Sequence, residues 1–293
     1  MNKLGKISVG GSNPVRVMGI LNTSPESFFK KTIASKKQTQ NKLIRKIVDE
    51  GADFIDVGGM STAPYLSTLV SEKIESERIL QAVKQIQKIS NIPISVDTCR
   101  ASVAKNALEN GVEIINDISG LKYDKKMIDV VEKYQPSLVL CAFSKNSVSG
   151  NQISKTKFLL KQSLTLAKST NISPKKIVLD PAIGFFRKTG KGKFFTKINS
   201  DWFERDLLIL QNLNSIKMRF PLLVSVSNKS FIGKLLNLKD PSDRLFGSLV
   251  SEAIAVLNGA DLIRTHNVLE TKTSVTIAQR VAQKKSRKAY KTS

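Results

Sequence analysis

The sequence contains few of the residues that build metal centres, disulfide frameworks or membrane spans. Its 293 residues include one histidine and two cysteines. A single histidine, His266, excludes the multi-histidine zinc sites of most metallohydrolases. The cysteines, Cys99 and Cys141, provide no disulfide framework and fit a reducing compartment. No uncharged apolar run approaches the ~18 residues of a transmembrane helix, and the N-terminal apolar stretch is too short for the core of a signal peptide. We therefore expect a soluble, cytoplasmic protein.

Acidic residues are scarce relative to basic ones. The chain has 47 Lys and Arg against 24 Asp and Glu, a formal net charge of +23. Such an excess fits either a solubilising surface or a polyanionic partner. Basic residues cluster in segments 30–46, 187–197 and 284–291. The second cluster interleaves aromatic and cationic side chains, as single-strand binders do, so nucleic-acid binding is one alternative. We expect residues 284–293 to form a disordered basic tail.

Short β-branched runs alternate with longer amphipathic stretches. Because these runs are continuously apolar, they are typical of parallel strands that are covered on both faces. They are Val15–Leu21, Asp53–Val57, Ile92–Asp97, Val112–Asp117, Ser137–Ala142, Lys176–Asp180, Leu222–Ser227 and Asp261–His266. Helical patterns lie between them, for instance Ser71–Ser90, Pro241–Gly259 and Val268–Gln283. The alternation predicts a single-domain α/β protein, a (β/α)8 TIM barrel over residues 1–283, with a doubly wound open sheet as the alternative.

Polar residues stand at or near the carboxyl ends of most predicted strands, where barrel enzymes carry their active sites. A lone aspartate at such a place is often only the cap of the next helix, but many ends converging on one mouth favour an active site. The first group offers donors and acceptors to the edge of a flat heterocycle: Asp97, Asn116, Asp180 and Lys229. The second group lies on the adjoining first and last strands and suits a phosphate: Asn22, Arg264 and His266. The two groups together predict a pyrophosphorylated heterocyclic substrate.

Six segments carry a family resemblance over nearly the whole chain, from about residue 15 to 283. They read VMGILNTSPESF (17–28), GADFIDVGGMST (51–62), ISVDTCRASVAKNALENGVEIINDISGL (94–121), IVLDPAIGF (177–185), LLVSVSNKSFIG (222–233) and LIRTHNV (262–268). In this order they resemble dihydropteroate synthase. The resemblance implies a (β/α)8 transferase of folate-type pterin biosynthesis, usually a homodimer. It would condense 6-hydroxymethyl-7,8-dihydropterin pyrophosphate with p-aminobenzoate and release pyrophosphate in the presence of Mg2+.

The resemblance also implies roles for individual residues. The pterin pocket would comprise Asp97, Asn116, Asp180 and Lys229. The pyrophosphate and Mg2+ site would comprise Asn22, Arg264 and His266, with Asn22 as the metal ligand, and Thr62 would lie in a mobile loop. The residues expected to act in catalysis are Asp97, Lys229, Arg264 and His266.

The departures from the family pattern concern the surroundings of the arylamine. Ala63 stands where the second loop usually has arginine, Asn228 replaces another arginine, and Cys141-Ala142 replaces the usual Met-His. One hypothesis is therefore a different acceptor, ribofuranosylaminobenzene phosphate of methanopterin biosynthesis; the other is drift of the loops with unchanged chemistry. A pterin-dependent methyltransferase is a further alternative, against which the predicted pyrophosphate site argues.

Overall fold

Eight parallel strands form a barrel. The computed structural model describes residues 1–24, 37–65 and 69–289, with residue 37 and residues 283–289 described by their backbone only. The barrel strands are β3 (Arg16–Asn22), β4 (Phe54–Gly58), β5 (Ile94–Asp97), β6 (Ile114–Asp117), β7 (Ser137–Cys141), β8 (Ile177–Asp180), β11 (Leu223–Val224) and β12 (Leu262–Thr265). Strand β12 pairs with both β11 and β3, and a parallel bridge between Leu179 and Leu222 joins β8 to the β11 side. The fold is thus the (β/α)8 barrel that the alternating pattern predicts, not an open sheet.

A short antiparallel hairpin covers the amino-terminal end of the barrel. It consists of β1 (Asn2–Leu4) and β2 (Ile7–Val9). Leu4 and Val9 are buried against an interior layer to which seven barrel strands contribute: Met18, Phe54, Ile114, Val139, Val178, Leu223 and Leu262. This apolar layer packs the lower barrel beneath the polar residues that end the strands.

Helices surround the barrel and bury the larger of the two apolar clusters against it. They are α1 (Lys37–Asp49), α2 (Glu72–Ile89), α3 (Ala101–Glu109), α4 (Met127–Tyr134), α5 (Gln152–Ser169), α6 (Trp202–Gln211), α7 (Leu213–Ile216), α8 (Ser230–Leu235), α9 (Leu245–Leu257) and α10 (Val268–Ala289). Side chains cap two of these elements: Ser71 accepts from Ile74 N at the start of α2, and Asp240 caps a 3₁₀ turn, Pro241–Arg244, that precedes α9.

The carboxyl-terminal boundary differs from the expectation. The backbone of α10 continues to Ala289, so the predicted boundary at residue 283 falls within this helix. Residues 290–293 of the predicted tail and residues 30–36 of the first basic cluster lie outside the described residues. Among the helices that the structure describes, none combines the length and apolar character of a membrane span.

Candidate active site

One cleft opens at the carboxyl ends of the barrel strands, and it gathers most of the predicted site residues. Of the eight site residues named from the sequence, six line it: Asn22, Thr62, Asp97, Lys229, Arg264 and His266. These side chains come from five strand ends that are distant in sequence, which is how this fold assembles its active sites. The cleft therefore unites residues from both the predicted heterocycle group and the predicted phosphate group.

Arg264 occupies the floor of the cleft between two carboxylates. Its Nε donates to Oδ2 of Asp56 at 2.6 Å, and its Nη2 donates to Oδ2 of Asp97 at 2.9 Å. The carboxylates and burial have opposite effects on the guanidinium, and the net result is a pKa of Arg264 above its ordinary value. Burial raises the pKa of Asp97, whereas the charge of Arg264 opposes that rise. The sequence placed Arg264 at the pyrophosphate and did not predict its pairing with Asp56.

The other two predicted residues lie beneath the cleft. Asn116 donates from Nδ2 to Oδ2 of Asp56 at 3.1 Å, so this carboxylate joins β4, β6 and β12. Asp180 accepts from Ala182 N at 2.7 Å through Oδ1, and the thiol of Cys141 donates to the same side chain. Burial raises the pKa of Asp180. The floor thus presents carboxylate and amide groups that are held by their neighbours, an arrangement suited to the polar edge of a ring.

Lys229 extends over the ring of Phe185. Its Nζ lies 4.0 Å from the ring centroid, a favourable cation–π distance. Burial, and secondarily the charge of Arg264, lower the pKa of Lys229 to about 8. Its path requires a glycine at Gly184, where φ is +90° and an added Cβ would come within 2.7 Å of Lys229 Cδ. Gly184, in the segment after β8, therefore leaves the space that the side chain of Lys229 occupies.

His266 is held as a neutral ring. Burial and the charges of Arg264 and Lys229 lower its pKa to about 3. Ser227 Oγ lies 3.0 Å from His266 Nδ1 and also accepts from the backbone N–H of His266 at 3.3 Å. Because Oγ accepts from this N–H, its own hydrogen is available to Nδ1, and the tautomer with the ring hydrogen on Nε2 uses that bond. His266 can therefore serve an anion as a hydrogen-bond donor, not as a second positive charge.

Asp117, which ends β6, has a structural role. Its Oδ1 accepts from Ser119 N at 2.7 Å, and its Oδ2 accepts from Leu121 N at 2.8 Å. These bonds close the turn after the strand. This is the cap-like role that lone aspartates at strand ends commonly have.

The basic segment 187–197 folds back on the site. It contributes to a two-stranded parallel ribbon, β9 (Phe186–Arg187) and β10 (Thr196–Lys197), and its Lys191 N donates to Pro64 O at 2.8 Å. Phe194 in this segment and Phe186 just before it are no more than 2% exposed. Because buried rings cannot stack on bases, these two aromatic side chains serve packing beside the cleft.

Metal-binding side chains are sparse in the described part of the chain, where no group of three or more His, Cys, Asp or Glu residues is arranged to hold an ion. Asn22 lies at the cleft with its Oδ1 facing Gly58, where an added Cβ would approach it to 3.4 Å. One amide oxygen beside an anion site is a donor set that suits Mg2+, which keeps several waters and takes further ligands from phosphates.

Comparisons with known proteins agree with this geometry. The family model described as "Pterin binding enzyme" matches residues 18–266. The dihydropteroate synthase of Clostridium beijerinckii is 35% identical over 270 residues, which cover 92% of this chain and 94% of the relative. The dihydropteroate synthase of Synechocystis is 34% identical over 260 residues, which cover 86% of this chain and 85% of the relative.

Solved structures give the same result. The dihydropteroate synthase of Clostridium difficile, crystallised in the presence of pteroic acid, superposes with a TM-score of 0.81 at 32% identity, covering 96% of this chain and 99% of that chain. The Yersinia pestis enzyme, in a complex with a sulfonamide drug, gives a TM-score of 0.84 at 26% identity, and the superposition covers 97% of this chain and 99% of that chain. The matches run through every strand that supplies the cleft. This chain belongs to the dihydropteroate synthase family of pterin-binding enzymes.

Proposed function

We propose that this protein condenses 6-hydroxymethyl-7,8-dihydropterin pyrophosphate with p-aminobenzoate to form dihydropteroate and pyrophosphate. The observation that carries the proposal is the single cleft lined by Asp97, Lys229, Arg264 and His266. Its carboxylates suit the donor-rich edge of a pterin, and its cation and imidazole suit a phosphate. Relatives that are named dihydropteroate synthase match most of the chain at 32–35% identity.

The carboxylates of the floor bind and orient the pterin. Asp180 and Asn116 bind the polar edge of the ring. Lys229, which packs against Phe185, donates a hydrogen bond to the pterin. When the bond between the methylene carbon and the pyrophosphate oxygen breaks, positive charge spreads over the pterin and its methylene group. An ionised Asp97 stabilises that charge, since preorganised groups facing a developing charge lower the barrier.

Arg264, His266 and Asn22 hold the leaving group. Arg264 supplies a positive charge and the neutral His266 supplies an N–H donor, so negative charge on the departing pyrophosphate is stabilised. Mg2+, held by Asn22 and the phosphate oxygens, would supply further charge neutralisation. The arylamine nitrogen forms the new bond to the methylene carbon and loses one proton. This nitrogen is already nucleophilic, so positioning is the main requirement.

The alternatives are not favoured. A methyltransferase and an enzyme for ribofuranosylaminobenzene phosphate both share the barrel, but the matched relatives are dihydropteroate synthases over most of their length. The solved neighbour from Coxiella burnetii, at 32% identity and a TM-score of 0.80, was determined in complex with pteroic acid.

The protein works as a homodimer through α9 and α10 in this proposal. On α9 the exposed apolar residues follow a helical spacing: Phe246, Val250, Ile254 and Leu257. On α10 they are Leu269, Ile277 and Val281. The two helices pack against each other, so these side chains form one apolar face of the kind that a second copy covers. Light scattering should give twice the monomer mass, and Val250→Asp should lower it, whereas Phe158→Asp on α5 should not.

A cytoplasmic location completes the proposal. Both cysteines are free and buried, which suits a reducing compartment. Localisation of a tagged chain by fractionation tests this point, and recovery from an oxidising compartment would contradict it.

The deciding experiment measures pyrophosphate release and product mass with Mg2+ and the pterin pyrophosphate. It is run in parallel with p-aminobenzoate and with ribofuranosylaminobenzene phosphate. Product with p-aminobenzoate at the higher kcat/KM supports the proposal. Exclusive use of the phosphorylated amine would contradict p-aminobenzoate as the acceptor. If protein that binds the pterin released no pyrophosphate with either amine, the proposed synthase activity itself would be wrong.

A further inference from the structure

Glu252 is a fully buried carboxyl group behind the site, and no step described so far uses it. It lies on α9, among the residues of that helix that are turned to the interior. A carboxyl group is costly to bury unless hydrogen bonds compensate for the water that it loses. The bonds of Glu252 lead away from α9 and toward the cleft.

Two threonines connect Glu252 to the end of β12. The Oγ1 of Thr271, on α10, donates to Oε2 of Glu252 at 2.8 Å. The same Oγ1 lies 2.8 Å from Oγ1 of Thr265, the last residue of β12. A hydroxyl carries one hydrogen, and that of Thr271 goes to the carboxyl group, so Thr265 supplies the hydrogen of the second bond. Both threonines are fully buried, which shields this chain of bonds from solvent.

Thr265 stands between the two residues of this strand end that line the cleft. Side chains alternate along a strand, so Arg264 and His266 point into the cleft while Thr265 points outward to the helices. The Oγ1 of Thr265 also accepts from the backbone N–H of Asn267 at 3.1 Å. On the barrel side, Ser227 Oγ accepts from the backbone N–H of His266 at 3.3 Å. The backbone that carries the imidazole is therefore held from both sides.

We propose that Glu252, acting through Thr271 and Thr265, positions His266 to donate to the leaving pyrophosphate. The proposal rests on the proposed function, because it concerns the phosphate side of that reaction. His266 contacts the phosphate, and Glu252 is a positioning residue behind it. Since the chain of bonds ends on an acceptor, each hydroxyl in it has one orientation and the turn after β12 has one conformation. That conformation keeps the imidazole at 3.0 Å from the hydroxyl of Ser227.

The first measurement is the binding of inorganic pyrophosphate with Mg2+, by calorimetry. Glu252→Leu and Thr271→Val each replace one member of the chain by an apolar side chain of similar volume. We expect either change to weaken pyrophosphate binding about three- to tenfold, as for loss of one neutral hydrogen bond. Binding of 6-hydroxymethyl-7,8-dihydropterin, which has no phosphate, should stay within about twofold of the parent value.

Two further variants serve as controls. Glu252→Gln retains an oxygen that accepts from Thr271, so it should bind pyrophosphate as the parent does. Thr276→Val makes the same change as Thr271→Val on the same helix, but at an exposed position where the hydroxyl donates to Lys272 O. It should leave both affinities unchanged.

The second measurement is the NMR spectrum of the imidazole. His266 is the one histidine of the sequence, so its ring signals are assigned without ambiguity. The nitrogen shifts of the parent should show a single neutral form, with the hydrogen on Nε2 and Nδ1 accepting from Ser227. In Glu252→Leu and Thr271→Val the two nitrogen shifts should converge, because both neutral forms become populated. Glu252→Gln should retain the parent spectrum.

A merely structural role for Glu252 would give other results. Unchanged pyrophosphate binding or unchanged ring signals in Glu252→Leu, in protein with a normal melting transition, would overturn the proposal. Equal weakening of pyrophosphate and pterin binding would also contradict it. Should Glu252→Leu not fold, Thr271→Val gives the same two measurements. Failure of the parent to bind pyrophosphate would contradict the proposed function instead, and the ring signals would still decide whether Glu252 positions His266.

Discussion

The Nε of Arg264 donates to the Oδ2 of Asp56 across 2.6 Å, joining two strands whose residues are 208 positions apart. Asp56 is fully buried, and its Oδ1 has no partner among the described residues. It also accepts from Asn116. This carboxylate therefore holds both a predicted pterin residue and a predicted pyrophosphate residue.

Replacement of Asp56 by asparagine should reduce activity strongly. Asp56→Asn removes the buried negative charge that pairs with Arg264 and leaves one neutral amide oxygen to accept from Arg264 and Asn116. We expect kcat/KM for the pterin pyrophosphate to fall about tenfold to a hundredfold, since a buried charged hydrogen bond contributes roughly 1.5–3 kcal/mol. Asp53→Asn is the control, because Asp53 pairs with Arg16 near the opposite end of the barrel. Equal kinetic losses in both variants would contradict a local role for Asp56.

A methyl group at Gly184 should displace Lys229. The Cβ of Gly184→Ala would lie 2.7 Å from Lys229 Cδ, and φ at this position is +90°. We expect KM for the pterin substrate to rise about tenfold, with a loss of about 1 kcal/mol in the free energy of unfolding. Gly150→Ala is the control that separates backbone strain from displacement of a neighbouring side chain. Gly150 also has a positive φ, +86°, but its added Cβ would contact nothing closer than 3.8 Å. That variant should lose stability and keep its KM.

The pH dependence of kcat/KM should show a falling limb near pH 8. Lys229, with a pKa lowered to about 8, binds the pterin as a cation and loses its proton as the pH rises through that value. A rising limb comes from Asp97, whose pKa is raised by burial and which acts as a carboxylate. His266 contributes no step near pH 6.5, because it is neutral down to about pH 3. In Lys229→Arg the falling limb should move to higher pH; a limb that stays near pH 8 would assign it to another group.

Glu252 should make the protein less stable in alkaline solution. This side chain is fully buried and accepts from Thr271 Oγ1 at 2.8 Å, and burial raises its pKa from 4.5 to about 8. A raised folded-state pKa contributes stability that is full below about pH 4.5 and is lost as the pH rises through about 8. Glu252→Gln should therefore be more stable than the parent at pH 9, by on the order of a few kcal/mol, and similar at pH 5. Melting temperatures across this range measure the difference, with the exposed Glu77→Gln as the control.

The barrel could be predicted because its signals are local. Runs of buried β-branched residues mark each parallel strand, and β7 begins at Ser137, where the pattern predicted it. The predicted strand Leu222–Ser227 is shorter in the structure, where only Leu223–Val224 forms strand pairs. Its continuation, including Ser225 and Ser227, lines the cleft, so its conformation follows the site. The sequence did not predict the amino-terminal hairpin of β1 and β2, because strands of three residues are too short to show an alternation of apolar and polar residues.

The site was predicted in its composition but not in its contacts. Strand-end residues such as Asp97 and Lys229 could be named because parallel strands place their ends at one edge. Which cation would face which carboxylate depends on side-chain directions that no spacing records. The bond from Arg187 to Ser230 spans 43 positions, and the ion pair of Arg264 with Asp97 spans 167. Asp56 lies within the predicted strand Asp53–Val57, and nothing in the sequence identifies its partner.

The hairpin that covers the lower barrel has a consequence for the order in which a nascent chain can fold. Its residues are synthesised well before some of their partners: Gly5 N donates to Ser137 Oγ, 132 positions away, and Asn2 donates to Pro174 O, 172 positions away. Contacts of such separation form slowly because a long loop must close before they give any stabilisation. We therefore expect Leu4 and Val9 to be fully buried only after most of the barrel strands have been synthesised. Docking of the hairpin should then be a late step of folding.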